Sequence, residues 1–435
     1  MRKWIVLFLG LIVLSVVVCW IVLEDRIQRV RMAASLFTGV EQVHNFPRLH
    51  EMFPTAELPA ASSPWRFPRA TTRPLPLAFD YREGPVDVQT FLEETDTAAL
   101  LVLDEGSIVF EEYWLTGGID VTWLSMSVAK SFISALVGIA LNEGAFESVD
   151  VPVSDLVPSL VGSAYEYVAI RDILQMSSGA RWNEDYSDPQ SDINRFGRIF
   201  ALGGSINEFA ASLTNELPPG TFNRYNSTDT QVLGMLLVET TGQSITEYMR
   251  DKLWLPLGAE SHAYWLLDGE GMEMAFGGLN ATARDYAKLG ELYRLGGARE
   301  GVQIVPEAWI EASLRTDAAH LVAGENPASD NELGYGYQWW IPEGDRGEFL
   351  AIGVYNQFVY VDPTAGVVIT KLSANSDYGT TTDESSYREF ETIELFRAIT
   401  RSVSQARPGD EPEAVGAEAP GEPGEGEPVS DRPGI

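Results

Sequence analysis

Cysteine is almost absent from this chain of 435 residues, in which Cys19 is the single example. One cysteine excludes an internal disulfide, a thiolate metal site and a Cys-x-x-Cys redox pair. Histidine is also scarce. The chain has only four histidines, and they are scattered without an H-E-x-x-H or comparable spacing. We therefore expect no zinc centre and predict that the protein works without a metal or another cofactor.

Positive charge is the second deficit. The chain has 30 lysines and arginines against 63 aspartates and glutamates, which gives a formal net charge of -33. Nucleic acids and anionic membrane surfaces are bound by basic patches, so these partners are excluded. A polyanionic substrate is excluded for the same reason, and the negative surface is typical of a highly soluble domain.

Long apolar runs are rare, but one opens the chain. Residues 4–23 form an apolar run without a charged residue, preceded by Arg2 and Lys3. Twenty helical residues span about 30 Å, the thickness of a bilayer core, so residues 1–23 are predicted to be a transmembrane anchor that contacts lipid through residues 4–23. A cleaved signal peptide is the alternative, but its apolar core would be shorter and followed closely by small residues.

The remaining sequence divides by composition. Residues 24–85 are rich in proline and predict an extended stalk or a strap over a domain surface. Residues 86–400 have the mixed pattern of a globular domain, and residues 401–435 form an acidic tail rich in proline, glycine and glutamate that is predicted to be disordered.

Within the globular part, β-type patterns lie at both ends and a helical pattern lies between them. The turn Asp104-Glu105-Gly106 predicts a hairpin, and an apolar helix is predicted from Ser127 to Asn142, ending at Gly144. The predicted strands are residues 98–103, 107–113, 336–340, 349–353, 357–361 and 366–372. This order predicts an α/β (α+β) fold: an antiparallel sheet flanked by helices, with an inserted, mainly helical domain at about 145–290.

The strongest chemical motif is Ser127-x-x-Lys130 at the start of the apolar helix. Residues i and i+3 share a helix face, so the lysine amine is expected beside the serine hydroxyl. A lysine can accept the serine proton when burial and the helix N-terminus lower its pKa. The alternative is a helix N-cap with an exposed lysine, but this helix is too apolar for the surface. Ser125 is a weaker candidate nucleophile because Val128, three residues later, supplies no base.

Further blocks follow the motif in order at residues 170–179, 276–285 and 334–340. Together with Ser127-x-x-Lys130 they resemble serine hydrolases of the class C β-lactamase and penicillin-binding-protein superfamily, and most closely the branch of esterases and 6-aminohexanoate-dimer hydrolases. The resemblance implies a β-lactamase/transpeptidase-like fold. It also implies that Tyr225, in a Tyr-x-Ser motif with Ser227, is a general base or proton relay of phenolate-like character. Ser227 would complete the hydrogen bonds to Lys130.

The family's third motif, Lys-Thr-Gly, is matched to Val354-Tyr355-Asn356. The resemblance then implies that the backbone amides of Ser127 and Gln357 form the oxyanion hole. No lysine stands at Val354 to bind a β-lactam carboxylate, which shifts the expected substrate to an ester or a linear amide. The expected substrate contacts are Trp182, Glu184, Tyr186, Asp188, Tyr355 and Asn356.

The sequence therefore predicts a membrane-anchored serine hydrolase that acts through an acyl-enzyme on a small-molecule ester or amide. The N-terminal apolar segment predicts a single-pass protein of a bacterial inner membrane with its catalytic domain outside the cytoplasm. A β-lactamase or D-alanyl-D-alanine carboxypeptidase of the same fold is one alternative. A non-catalytic penicillin- or peptidoglycan-binding protein is another.

Overall fold

The protein is described by a computed structural model at Ser15, Val17, Trp20, Glu24, residues 41–82 and residues 84–407. The predicted anchor, residues 1–23, therefore lies outside the described residues except at Ser15, Val17 and Trp20. Within the described part of the chain, no helix has both the length and the apolar character needed to cross a membrane. The final helix continues to Gln405, so the predicted start of the acidic tail at residue 401 is wrong, and the tail from residue 408 onward lies outside the description.

The described chain alternates short strands and helices. The strands are β1 (Thr55–Leu58), β2 (Ala78–Tyr81), β3 (Gly84–Asp87), β4 (Thr97–Asp104), β5 (Ser107–Tyr113), β6 (Trp123–Leu124), β7 (Ala263–Leu266), β8 (Leu279–Ala281), β9 (Ala298–Arg299), β10 (Val302–Gln303), β11 (Gly334–Tyr335), β12 (Trp340–Ile341), β13 (Phe349–Gly353), β14 (Gln357–Asp362) and β15 (Val367–Ser373). The helices are α1 (Gln42–Asn45), α2 (Leu49–Met52), α3 (Val88–Glu94), α4 (Ala129–Asn142), α5 (Ile170–Leu174), α6 (Asp192–Ala201), α7 (Ile206–Ala211), α8 (Ser227–Thr241), α9 (Ile245–Met249), α10 (Leu255–Leu257), α11 (Ala283–Arg294), α12 (Glu307–Ser313), α13 (Glu384–Tyr387) and α14 (Glu389–Gln405).

A seven-stranded antiparallel sheet forms the centre, in the order β11-β12-β13-β14-β15-β4-β5. Its central strands are buried on both faces. Along β14, Phe358 and Tyr360 point to the face covered by α14, where Phe358 meets Phe396 with ring centroids 5.4 Å apart. Val359 and Val361 point to the opposite face, against which α11 packs. Burial on both sides explains why this strand lacks the polar alternation of a surface strand.

Helix α4 runs through the core, and every residue from Ala129 to Ala140 is buried. It packs against α8 and against Trp309 of α12. A Cβ at Gly138 would lie 2.3 Å from Trp309 Cγ, so only glycine allows this approach. The helix ends before Gly144, whose φ of +78° is the left-handed conformation expected at that position.

A second, four-stranded antiparallel sheet has the order β1-β7-β8-β6 and joins the helical middle of the chain to the N-terminal segment. Between residues 145 and 290 the chain is mainly helical, with α5 to α10, and it supplies β7 and β8 to this sheet. β6 leads into the turn that begins α4. This sheet therefore positions the start of α4.

Residues 41–82, called the strap here, pack closely onto the rest of the protein. Phe46 is fully buried, with its ring centroid 5.7 Å from that of Trp123 and 5.5 Å from that of Tyr355. β1 pairs with β7. The proline pattern gave no indication of the short helices in this segment. Pro47 is accommodated in a 3-10 turn at one of its first positions, where the missing N–H carries little cost.

The predicted hairpin of residues 98–103 and 107–113 is present as β4 and β5, and the last three predicted strands are β13, β14 and β15. The predicted strand at residues 336–340 is wrong, because a tight turn there joins β11 to β12. Gln338 has a φ of +64° and its N–H donates to Leu174 O at 3.1 Å. A Cβ at Gly336 would lie 1.9 Å from Ser313 O, so the two backbone segments can approach this closely only because residue 336 is glycine.

Candidate active site

Ser127 lies in a single 3-10 turn, Met126–Val128, that leads directly into α4. Met126 has a φ of +47°, a left-handed conformation that costs a non-glycine residue roughly 1–3 kcal/mol. The Ser127 side chain is nearly buried but lines an open cavity. Ser125, the competing serine, is fully buried and its hydroxyl donates to Met126 O at 2.9 Å. The strained turn thus presents Ser127, and not Ser125, to the cavity.

Lys130 is buried with its amine beside this hydroxyl. Its Nζ lies 2.9 Å from Ser127 Oγ, 3.2 Å from Ser227 Oγ and 2.8 Å from Phe276 O. Burial lowers the pKa of Lys130 to about 7, although the carboxylates of Glu184 and Asp229 act in the opposite direction. A substantial fraction of the lysine is therefore neutral near pH 7 and able to accept a proton.

Tyr225 packs against the same group. Its ring centroid lies 5.1 Å from Lys130 Nζ and 5.1 Å from the ring of Trp340, on which it stacks. Burial, with Tyr335 and Glu184 nearby, raises the pKa of Tyr225 well above its ordinary value, and a hydrogen bond with Ser127 partly opposes this. The side chain is therefore a neutral phenol at neutral pH. Burial therefore weighs against the expected phenolate-like character, and a neutral phenol is able to donate a proton.

Glu184 connects the loop before α6 to the start of α8. Its Oε1 accepts from Ser227 Oγ at 2.6 Å and from Tyr186 OH at 2.7 Å. Its Oε2 accepts from the backbone N–H of Ser227 at 3.1 Å and from Trp182 Nε1. The carboxylate thus holds Ser227, which in turn accepts from Lys130.

Asp229, two residues after Ser227 on α8, is a second carboxyl group under the site. Its Oδ1 accepts from Ser178 Oγ at 2.7 Å, Tyr165 OH at 2.9 Å and Asn226 Nδ2 at 2.9 Å. Oδ2 has no hydrogen-bond partner among the described residues. Burial raises the pKa of Asp229 to about 7, so this group titrates in the same range as Lys130.

The edge of β13 passes directly beside the nucleophile turn. A Cβ at Gly353 would lie 2.5 Å from Ser125 O and 3.0 Å from Ser127 N, so the strand can approach only because this residue is glycine. Val354, the next residue, lines the cavity together with Ser127. The backbone of Gly353 and Val354 is therefore the strand segment nearest Ser127.

This register corrects the expected oxyanion donor. Gln357 is fully buried at the first position of β14, where its Nε2 donates to Ser373 O at 2.6 Å and to Tyr355 O at 2.9 Å. It does not line the cavity. Gly353 is thus the glycine that approaches the nucleophile turn, and Ala351 stands two residues before it, where the Lys-Thr-Gly spacing would place a lysine.

The site opens into a cavity of about 1050 Å³. Carboxyl groups greatly outnumber cations on its wall. The carboxyl groups belong to Asp80, Glu184, Asp330, Glu332, Glu343, Asp383, Glu384, Glu389 and Glu394, and the cations to Arg82, Arg224 and Arg397. Arg224 is paired with Asp330 on the wall and with Glu216 outside it, so carboxyl groups remain in excess over cations in the cavity.

Comparison with known proteins identifies the family of this chain. Residues 88–393 match the Beta-lactamase family. A 6-aminohexanoate-dimer hydrolase from Paenarthrobacter ureafaciens is 33% identical over 349 residues, which cover 78% of this chain and 87% of that protein. This chain is a serine hydrolase of the Beta-lactamase family.

Solved structures share the hydrolase's fold. A protein from Bacillus anthracis, provisionally named a 6-aminohexanoate-dimer hydrolase, aligns with a TM-score of 0.74 at 22% identity. The alignment covers 85% of this chain and 95% of that protein. A family VIII carboxylesterase aligns with a TM-score of 0.53 at 15% identity, and the alignment covers 72% of this chain and 95% of the carboxylesterase. The hydrolase therefore has a β-lactamase/transpeptidase-like fold of antiparallel sheets and helices.

The residues predicted to contact substrate fall into two groups. Trp182, Glu184 and Tyr186 line the cavity. Asp188, Tyr355 and Asn356 do not, and they hold loops in place instead. Asp188 Oδ1 accepts from Gln190 N at 2.8 Å, Tyr355 packs against Phe46, and fully buried Asn356 donates to Tyr387 O at 2.8 Å.

Several features of the hydrolase's site were missed. Asp229 could have been suspected from its place two residues after Ser227, since it must share the first turn of the buried helix. Tyr378, Glu384 and Glu389 on the cavity wall belong to the loop after β15 and to the first residues of α13 and α14, and this stretch carries no motif. Only the folded chain brings this loop next to Tyr186, with the ring centroids of Tyr186 and Tyr378 6.3 Å apart.

Proposed function

We propose that this hydrolase cleaves linear amides or esters through an acyl-enzyme formed on Ser127. The observation that carries the proposal is the 2.9 Å contact between Lys130 Nζ and Ser127 Oγ at the floor of a large cavity. Lys130, with a pKa of about 7, accepts the serine proton as the serine oxygen bonds to the substrate carbonyl carbon.

The other groups are assigned from their positions. The oxyanion is stabilised by the backbone amides of Ser127 and Val354, next to the close approach of Gly353. Tyr225 remains protonated and donates to the leaving amine or alkoxide, after which Lys130 restores the phenol proton. Water then attacks the acyl-enzyme with Lys130 again as the base, which releases the acid and regenerates Ser127.

The acidic cavity indicates the substrate class. Burial raises the pKa of Glu384 to about 8 and that of Glu389 to about 7, so these two carboxyl groups are largely or partly uncharged near pH 7. The other seven carboxyl groups of the wall still outnumber its three arginines, which favours a substrate with a cationic amine over one that depends on a free carboxylate. The Paenarthrobacter relative is named for the 6-aminohexanoate dimer, a linear amide with an ammonium group at one end and a carboxylate at the other, so the acidic wall suits the ammonium end. β-Lactams carry a carboxylate, for which the third motif offers Ala351 in place of lysine. We therefore propose linear amides that bear a free amine.

A substrate panel tests the proposal. Wild type should hydrolyse linear ω-amino amides and short chromogenic esters, and Ser127→Ala should abolish both while the circular dichroism spectrum is unchanged. Acetylation of the substrate amine should raise KM. Activity that survives in Ser127→Ala would contradict the assignment of the nucleophile, and faster turnover of penicillins than of amides would favour the β-lactamase alternative.

We also propose that residues 4–23 anchor the hydrolase in a bacterial inner membrane with the catalytic domain outside the cytoplasm. The apolar run of about bilayer length, without a charged residue, supports this location. The full chain should remain in membranes after an alkaline carbonate wash, whereas a variant without residues 1–40 should be released. Release of the full chain would contradict the anchor.

A further inference from the structure

Glu184 lines the cavity, but its carboxylate is hydrogen-bonded to groups beside the catalytic residues. A carboxylate has about four lone-pair sites for hydrogen bonds. Four donors already occupy them: Ser227 Oγ, Ser227 N, Tyr186 OH and Trp182 Nε1. Little acceptor capacity is left for a substrate, so this carboxylate acts on the protein itself.

The contacts run in sequence from Glu184 to the nucleophile. Because the hydroxyl of Ser227 donates its only hydrogen to Glu184, its oxygen can interact with Lys130 Nζ only as an acceptor. Phe276 O is the second acceptor at Lys130, at 2.8 Å. A neutral amine has two hydrogens and one lone pair. Ser227 and Phe276 take the two hydrogens, and the lone pair is left for the hydroxyl of Ser127, 2.9 Å away.

We infer that Glu184 is a positioning residue that orients the hydroxyl of Ser227 and thereby aims the lone pair of Lys130 at Ser127. The inference rests on the acyl-enzyme function proposed above. Without the carboxylate, the hydroxyl of Ser227 is free to turn and donate to the lone pair of Lys130. The base would then be occupied by the wrong partner.

The charge of Glu184 adds a second, measurable effect. The charged groups that act on Lys130 are Glu184 from the loop before α6 and Asp229 from α8, and the titratable ring of Tyr225 lies beside it. Both carboxylates raise the pKa of Lys130 against the effect of burial. The rate falls at low pH as Lys130 becomes protonated, and this part of the pH–rate profile is called the acid limb here. Removal of the charge at Glu184 should move the acid limb to lower pH by about one unit.

The test measures the rate at which a fluorophosphonate labels Ser127, as a function of pH, so it does not depend on the natural substrate. Glu184→Gln should slow labelling on the plateau by about tenfold or more and shift the acid limb to lower pH. In a Ser227→Ala background the competing hydroxyl is absent, so the same substitution should cost at most about twofold on the plateau. Glu184→Asp keeps the charge and should leave the acid limb in place while it slows labelling.

Glu273→Gln is the matched control. This buried carboxylate lies outside the cavity wall and accepts from Thr246 N at 2.9 Å and Thr246 Oγ1 at 2.7 Å at the start of α9, as Glu184 does from Ser227. Its substitution should lower Tm without a change in the pH profile of labelling.

Three results would overturn the inference. The first is an equal loss from Glu184→Gln in both Ser227 backgrounds, and the second is an acid limb that does not move. If Glu184→Gln does not fold, Glu184→Asp provides the third test. A labelling rate in Glu184→Asp equal to that of wild type would then overturn the inference. If wild-type Ser127 is not labelled at all, the proposed function fails instead, so the two failures are distinguishable.

Discussion

The pH dependence of Ser127 acylation follows directly from the burial of Lys130. Its pKa of about 7 means that about half of the lysine is neutral at pH 7, about one-tenth at pH 6 and about nine-tenths at pH 8. An exposed lysine with a pKa near 10.4 would be neutral in only about 0.04% of molecules at pH 7. Burial therefore enlarges the population of active base on the order of 10³-fold.

The sign of the effect is fixed by the role of the amine. Only neutral Lys130 accepts the serine proton, so kcat/KM should fall about tenfold for each pH unit below 6 and level off above pH 8. The assay is kcat/KM for a short-chain ester whose own ionisation does not change between pH 5 and 9. Circular dichroism over the same range shows whether the fold is retained.

Asp229 must be separated from Lys130 because its pKa is also about 7. In Asp229→Asn the acid limb should persist and move to lower pH, since a negative charge that raises the pKa of Lys130 has been removed. Disappearance of the limb would assign it to Asp229. A wild-type rate that is still climbing between pH 9 and 10 would refute the argument, because Lys130 would then titrate as an ordinary exposed lysine.

Three further predictions concern single positions. Gly353→Ala places a Cβ 2.5 Å from Ser125 O and should lower kcat by about 10²-fold through displacement of the strand beside Ser127, whereas Gly197→Ala, with open space around it, should leave kcat unchanged. Tyr225→Phe should lower amide turnover by about 10²-fold or more but slow a nitrophenyl ester much less, because nitrophenolate leaves without a proton; equal losses would contradict the donor role. Gly138→Ala should destabilise the fold by about 1–3 kcal/mol in thermal or urea unfolding, since the new Cβ would overlap Trp309, and an unchanged Tm would contradict that packing.

Local spacing explains which parts of the site could be anticipated. Ser127 and Lys130 are three residues apart at the start of one helix, so the helical repeat alone brings them together. Tyr225 and Ser227 flank the N-cap residue Asn226 of α8, and resemblance to a known motif was enough to select them. The strands β13, β14 and β15 were equally readable, because burial on both faces leaves long apolar runs in the sequence.

The errors have a common physical origin in contacts between distant segments. The oxyanion strand was assigned to Gln357 because the sequence does not show where the β13–β14 hairpin turns, and the residue that touches the nucleophile turn is Gly353. The burial that raises the pKa of Tyr225 comes with contacts to Trp340 and Tyr335, more than 100 residues away, so no local pattern indicated it.

The sequence by itself determined the family and selected the proposed nucleophile and its lysine, since these depend on short motifs whose geometry is set within one helical turn. The tertiary structure alone decided which backbone lies beside Ser127, how strongly Lys130 is desolvated and which donors surround Glu184. It also gathered the acidic cavity wall from segments as far apart as Asp80 and Arg397. Strand register, burial and long-range packing set these properties, and no local pattern in the chain encodes them.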